Sequence, residues 1–231
     1  MSNITKALEQ IRNRNFNEAI EILEELLLED TSNTDVLYNL GMCFSEIGEP
    51  EKAIKPLKSC IEIEPANSNA NVALGFAYSL LDNDEEAKQY FLKAIKINPQ
   101  NNHALRNLGA IYGRGGESEK MFYYVHKAYD IDQKDPLTVY GLATAYEALG
   151  DIKNATRYYK ETILITEGHP LQEIAKERMT AISANKLKSE GIRMDCVYYI
   201  LDALQKLNGE PEEYIKNLTF EIALKGQNGF D

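Results

Sequence analysis

Long apolar runs, clustered cysteines and a surplus of basic residues are all missing from this sequence, and each absence removes a class of function. No stretch approaches the roughly 18 consecutive apolar residues that a membrane-spanning helix needs, so no membrane insertion is expected. The opening, MSNITKALEQ, has neither the basic segment nor the apolar core of a secretory signal. Cys43, Cys60 and Cys196 are odd in number and widely spaced, which gives no disulfide framework. These features lead to the expectation of a cytoplasmic protein with free thiols. Lys and Arg number 25 against 36 Asp and Glu, a formal net charge of −11. Nucleic acid calls for a basic stripe that displaces counterions, and an anionic membrane surface calls for the same, so neither is an expected partner. The acidic surplus serves solubility and leaves a basic or neutral peptide compatible.

Groups for chemistry are equally thin. His103, His126 and His169 stand far apart, and none shares ligand spacing with a cysteine, so no metal site is expected. Gly113-Arg114-Gly115-Gly116 lacks the preceding strand and the lysine-serine/threonine ending of a phosphate loop, and reads as a turn between helices. The carboxylate runs Glu24-Glu25, Asp84-Glu85-Glu86 and Glu212-Glu213 lie near turns or on exposed faces, where those near helix starts suit the macrodipole. No catalytic residue and no cofactor is expected.

What the chain does have is one pattern written several times. Leu40-Gly41 and Phe44 are matched by Leu74-Gly75 and Tyr78, then Leu108-Gly109 and Tyr112, then Leu142-Ala143 and Tyr146, always thirty-four residues on. The turn residues Gly48, Asp82, Gly116 and Gly150 keep the same offset, as do Leu57, Phe91, Val125 and Tyr159. A degraded first copy keeps Ala7, Phe16, Ala19 and Leu23. A fixed period in this range signals a stack of helical hairpins, each too small to bury its own apolar face. In the third copy the apolar spacing predicts helices over Asn69–Leu81 and Asp84–Ile97. The break Arg114-Gly115-Gly116-Glu117 reads as the loosest of the set. Glycine inside a helix costs about 1 kcal/mol against alanine, so its recurrence at Gly41, Gly75 and Gly109 implies close approach of the partner helix. Pro56, deep in a predicted helix, should bend it.

This set of residues resembles the tetratricopeptide repeat family, whose unit has the same length and the same Leu-Gly, Tyr, Ala, Phe, Ala, Pro order. The resemblance implies an all-α fold: a right-handed superhelical array of helix-turn-helix repeats, an α-solenoid. Five repeats are expected at about 1–33, 34–67, 68–101, 102–135 and 136–169, then a capping helix at 170–190 and a two-helix extension at 191–231. The pattern departs at Gln133 and Glu167, where proline is expected, with Pro136 and Pro170 standing three residues later. Those junctions are therefore expected to be longer or differently capped.

The resemblance also implies a function: a non-enzymatic scaffold or adaptor that binds a protein or peptide segment in a groove lined by the first helix of each unit. Carried over by position, the lining is Tyr38, Asn39, Met42 and Glu46, then Asn69, Val72, Phe76 and Ser79. The fourth unit adds His103, Arg106, Asn107 and Arg114, and the fifth adds Tyr140, Thr144 and Glu147. Aromatic and arginine anchors dominate such interfaces. The clamp of two lysines, two asparagines and an arginine that some members use on acidic chaperone tails lacks its lysines here; Asn39, Arg106 and Asn107 alone remain. Two alternatives stay open: self-association through the C-terminal extension, or service as the targeting arm of a larger enzyme.

Overall fold

Eleven α-helices and no strands make up the computed structural model, which describes residues 3–189. The expected two-helix extension at 191–231 and Cys196 lie outside the described residues. Contacts gather the chain into two units, 1–158 and 159–231, with the division inside the tenth helix.

In the first unit the helices come in pairs, first against second: α1 (Asn3–Arg12) with α2 (Phe16–Glu29), and α3 (Thr34–Glu46) with α4 (Pro50–Ile63). The pairs α5 (Ser68–Leu80) with α6 (Asp84–Ile97), and α7 (Asn102–Arg114) with α8 (Ser118–Ile131), follow. α9 (Pro136–Ala148) packs on α7 and α8, and α10 (Ile152–Ile165) runs across the division. From α3 to α9 each first helix also touches the next first helix, as in a solenoid. In the second unit, α11 (Pro170–Ser189) follows α10, and its Gln172 side chain donates to the Ile163 carbonyl at 3.1 Å.

The in-phase glycines hold the pairs together. A Cβ on Gly41 would stand 2.4 Å from Leu57 Cγ, one on Gly75 2.8 Å from Phe91 Cε1, and one on Gly109 2.5 Å from Val125 Cγ2. Each second helix thus lays a large side chain directly over the glycine of its first helix. Leu57, Phe91 and Val125 are all but fully buried. The recurring aromatics pack one layer out: Tyr78 stacks on Tyr90, Tyr112 on Tyr124 and Tyr146 on Tyr158, with centroids 5.4–5.6 Å apart. Pro56 occupies this second-helix phase in its own unit, thirty-four residues before Tyr90. It is buried within a helix that runs unbroken from Pro50 to Ile63.

Both ends of the first helices repeat in detail. Asn33, Asn67, Asn101 and Asp135 share the thirty-four-residue phase, and each side chain accepts the backbone N–H three residues on, at 2.9–3.2 Å. At the far end, Arg14, Gly48, Asp82, Gly116 and Gly150 all adopt positive φ, between 54° and 79°. The next residue's N–H returns to the carbonyl five back, for example Glu49 to Phe44 and Glu117 to Tyr112, both at 2.9 Å. Two expectations are corrected. The turn at Gly116 has the same closed hydrogen-bond geometry as the others and is not looser. The junction before α9 has ordinary length, because Asp135 caps in phase and Pro136 takes the first helical position, where its missing N–H costs nothing.

Two substitutions test these packing arguments. Gly75→Ala gains helix propensity but drives a methyl group against Phe91 and to 3.1 Å from the Ala87 carbonyl oxygen. Denaturant titration should show a net loss of about 1–3 kcal/mol; unchanged stability would contradict the close-approach argument. Asp82→Gly relieves a left-handed non-glycine residue and should gain about 0.5–1 kcal/mol in the same assay.

Asp135 is the one ionisable cap of the four. Burial alone would raise its pKa, but the Thr138 hydroxyl and N–H and the Arg106 guanidinium more than reverse this and hold the carboxyl below its usual 3.8. A depressed pKa contributes stability that is present above the ordinary value and is lost as pH falls through the folded one. Asp135→Asn, which keeps a capping oxygen, should therefore flatten the acid limb of stability against pH below about 4.

Candidate functional site

One groove of about 530 Å³ runs across the first helices of four successive units. α3 contributes Tyr38, Met42 and Glu46; α5 contributes Asn69, Val72, Ala73 and Phe76; α7 contributes His103, Arg106, Asn107 and Ala110. α9 contributes Leu137, Tyr140, Gly141 and Thr144. The groove forms here because the glycine-bearing face of each first helix is turned to its partner, leaving this other face unpacked. The stretch that builds α5, SNANVALGFAYSL, carries no charged residue, and that of α9 carries only Glu147. Charge sits mainly on the second helices, as in α6, DEEAKQYFLKAIKI.

Arg106 is the one arginine or lysine in this lining, and it is not free. Its Nη1 donates to Asp135 Oδ2 at 2.5 Å, with the two side chains only 15% and 17% exposed. Its Nη2 lies 3.2 Å from His103 Nδ1. Burial and then the neighbouring guanidinium push the His103 pKa below its usual value, against the pull of Asp135 and Asp132. His103 is thus neutral at pH 7, with Nδ1 accepting from the guanidinium. The Asn107 side chain has no hydrogen-bond partner among the described residues, and the residue lines the groove.

Of the residues expected from sequence, Tyr38, Met42, Glu46, Asn69, Val72, Phe76, His103, Arg106, Asn107, Tyr140 and Thr144 come together in this lining. Asn39, Ser79, Arg114 and Glu147 stand apart from it. Asn39 donates back to the Asp35 carbonyl of its own helix at 2.8 Å. Arg114 is turned to the preceding unit, where it pairs with Asp84 at 2.5 Å and bonds Ser79 Oγ at 2.8 Å. Sequence reasoning missed Ala73, Ala110, Leu137, Gly141 and, from α8, Met121 and Val125. The available signal was Gly141, a helical glycine two residues ahead of the repeating small position.

No other site assembles around the reactive residues. Burial first, then nearby carboxylates, pushes the thiols of Cys43 and Cys60 up to about 11, so both stay protonated at neutral pH. Among the described residues no group of three His, Cys, Asp or Glu is placed to hold a metal ion. No helix among them is long and apolar enough to cross a membrane.

Comparison with known proteins matches this geometry. The description "Tetratricopeptide repeat" fits residues 68–101 and 138–169 in one form and residues 10–59 in a second. Among solved structures, MamA is 26% identical with a TM-score of 0.58, covering 70% of this chain and 94% of its own. PilW, described as a widely conserved type IV pilus biogenesis factor, is 20% identical with a TM-score of 0.72, covering 92% and 96%. YrrB, described as a TPR protein with an unusual peptide-binding site, is 17% identical with a TM-score of 0.54, covering 76% and 90%. No curated protein matches the chain. With its glycine-seated helix pairs, its fixed period and the two matching repeat descriptions, the chain belongs to the tetratricopeptide repeat family.

Proposed function

We propose that this protein is a non-enzymatic scaffold or adaptor that holds a peptide or protein segment in the groove between α3 and α9. One observation carries the reading. The first helices of four successive units turn a mostly apolar, nearly charge-free face to the same open space of about 530 Å³, while most of the charge lies on the second helices. Exposed apolar surface of this kind is costly unless something covers it. YrrB, described as having an unusual peptide-binding site, supports the reading as a case of such a site on the same fold, although at that identity only the fold is shared.

The mechanism is capture by a prebuilt wall. The glycine contacts and caps already set the helices, so the partner bears most of the ordering entropy. Phe76 and Tyr140 are the natural anchors, since large aromatic side chains dominate interface energy. Arg106 is a positioning group: its removal would leave Asp135 half-buried and unpaired, so a loss of binding by that variant would not separate recognition from folding.

Phe76→Ala combined with Tyr140→Ala is therefore the informative variant. Immobilised full-length protein and this variant, exposed to the same native extract, should differ at least about tenfold in the proteins retained, with the variant still cooperatively folded. Equal retention by the two would put recognition elsewhere.

A further inference from the structure

The groove does not have a uniform floor. Along α3 and α5 its lining comes from first helices alone, but between α7 and α9 two residues of a second helix, Met121 and Val125 of α8, reach it. They are 9% and 1% exposed. The opening coincides with Gly141, which stands at the phase that carries Asn39, Ala73 and Asn107 in the preceding units.

Packing accounts for only part of this glycine: a Cβ there would come 3.3 Å from Val125 Cγ1, a tight approach but milder than the 2.4–2.8 Å at the glycines that seat the helix pairs. A helix interior disfavours glycine, and the Gly141 backbone has no left-handed φ to accommodate. What the missing side chain does is leave α8 open to the groove.

The charges on the lining define the rest of the occupant. Arg106 is matched by Asp135, and His103 is neutral, so a carboxylate entering the groove finds no free cation in its lining. Glu46, at the α3 end, is an exposed carboxylate whose ion pair is a 3.9 Å contact with Arg14, itself 79% exposed. A chain of net charge −11 also steers basic segments toward itself.

We propose that Gly141 opens an anchor pocket, floored by Met121 and Val125, which takes one bulky apolar side chain from a basic peptide segment of another protein, with the segment's cation directed toward Glu46. This rests on the groove reading above and adds to it which side chain is read, and where.

A random peptide library displayed on phage, selected against the full chain, is the probe. Recovered peptides should share one Leu, Phe, Met or Trp with Lys or Arg to one side. Alanine at the shared position should weaken binding at least about tenfold. Gly141→Met, which fills the pocket, should weaken the parent peptide similarly and abolish the difference between parent and alanine peptides, with cooperative unfolding retained. Gly141→Ala should show the same effect at reduced size if the methionine variant does not fold. Peptides that lose affinity for the Phe76→Ala/Tyr140→Ala protein yet bind Gly141→Met as they bind the wild type would overturn the anchor pocket and leave the groove reading standing. Acidic recovered peptides would overturn the assigned charge. Recovery of no groove-dependent peptide would overturn both readings.

Discussion

The distance at which a second helix can lie against the glycine of its first helix governs this array. Leu57, Phe91 and Val125 fill the space that a side chain on Gly41, Gly75 or Gly109 would occupy. That seating turns one face of each first helix inward, and the neighbouring unit covers the flank. The opposite face is left over, and the groove is that remainder. Fold and candidate site are therefore two sides of one packing decision, and neither moves without the other. The core is correspondingly one-dimensional: each unit buries its apolar residues only against the units beside it.

Charge is sorted along the same division. The second helices carry the acidic and basic residues, and lysines there lie over tyrosine rings, as with Lys88 and Lys120 over Tyr112 at 5.3 and 5.1 Å. The first helices of the groove keep little charge, and the one guanidinium in the lining is neutralised by the cap of the next unit. An acidic protein thus presents a nearly neutral groove, with Glu46 the exposed carboxylate at its α3 end.

The period was fully legible in the sequence, because leucine, glycine and aromatic residues at a constant offset are visible without any structure. The reason for the glycines was legible too, since a helix does not tolerate them repeatedly without a steric demand. The caps were written just as regularly at Asn33, Asn67, Asn101 and Asp135, but proline at Pro65 and Pro99 is the louder punctuation, and its absence at Gln133 suggested an altered junction that does not exist. Pro56 was legible only as a residue that should bend its helix; its burial, in phase with Tyr90, gives it a place in the packing. Arg114 and Asn39 were misplaced for a common reason. Position on a helix says which face a residue starts from, but a long or amide side chain goes where its hydrogen bonds are, and those depend on neighbours thirty residues away or on the helix's own backbone. Met121 and Val125 were beyond reach of the repeat pattern, since only the breach beside Gly141 brings a second helix into the lining.

The caps also tie units together unequally. Asn101 bonds back to Ser68 Oγ and Asn69 Oδ1 at 2.9 and 3.1 Å, and Asp135 bonds back to Arg106, so α5, α7 and α9 are cross-braced by side chains. Between α3 and α5 the brace is indirect: Glu64 accepts from the Thr34 hydroxyl at 2.6 Å and from the Asn67 side-chain amide at 3.0 Å, so one carboxylate joins the start of α3 to the cap of α5. The wall of the trough is therefore pinned at the same end of each first helix, directly from α5 to α9 and through a borrowed carboxylate from α3 to α5.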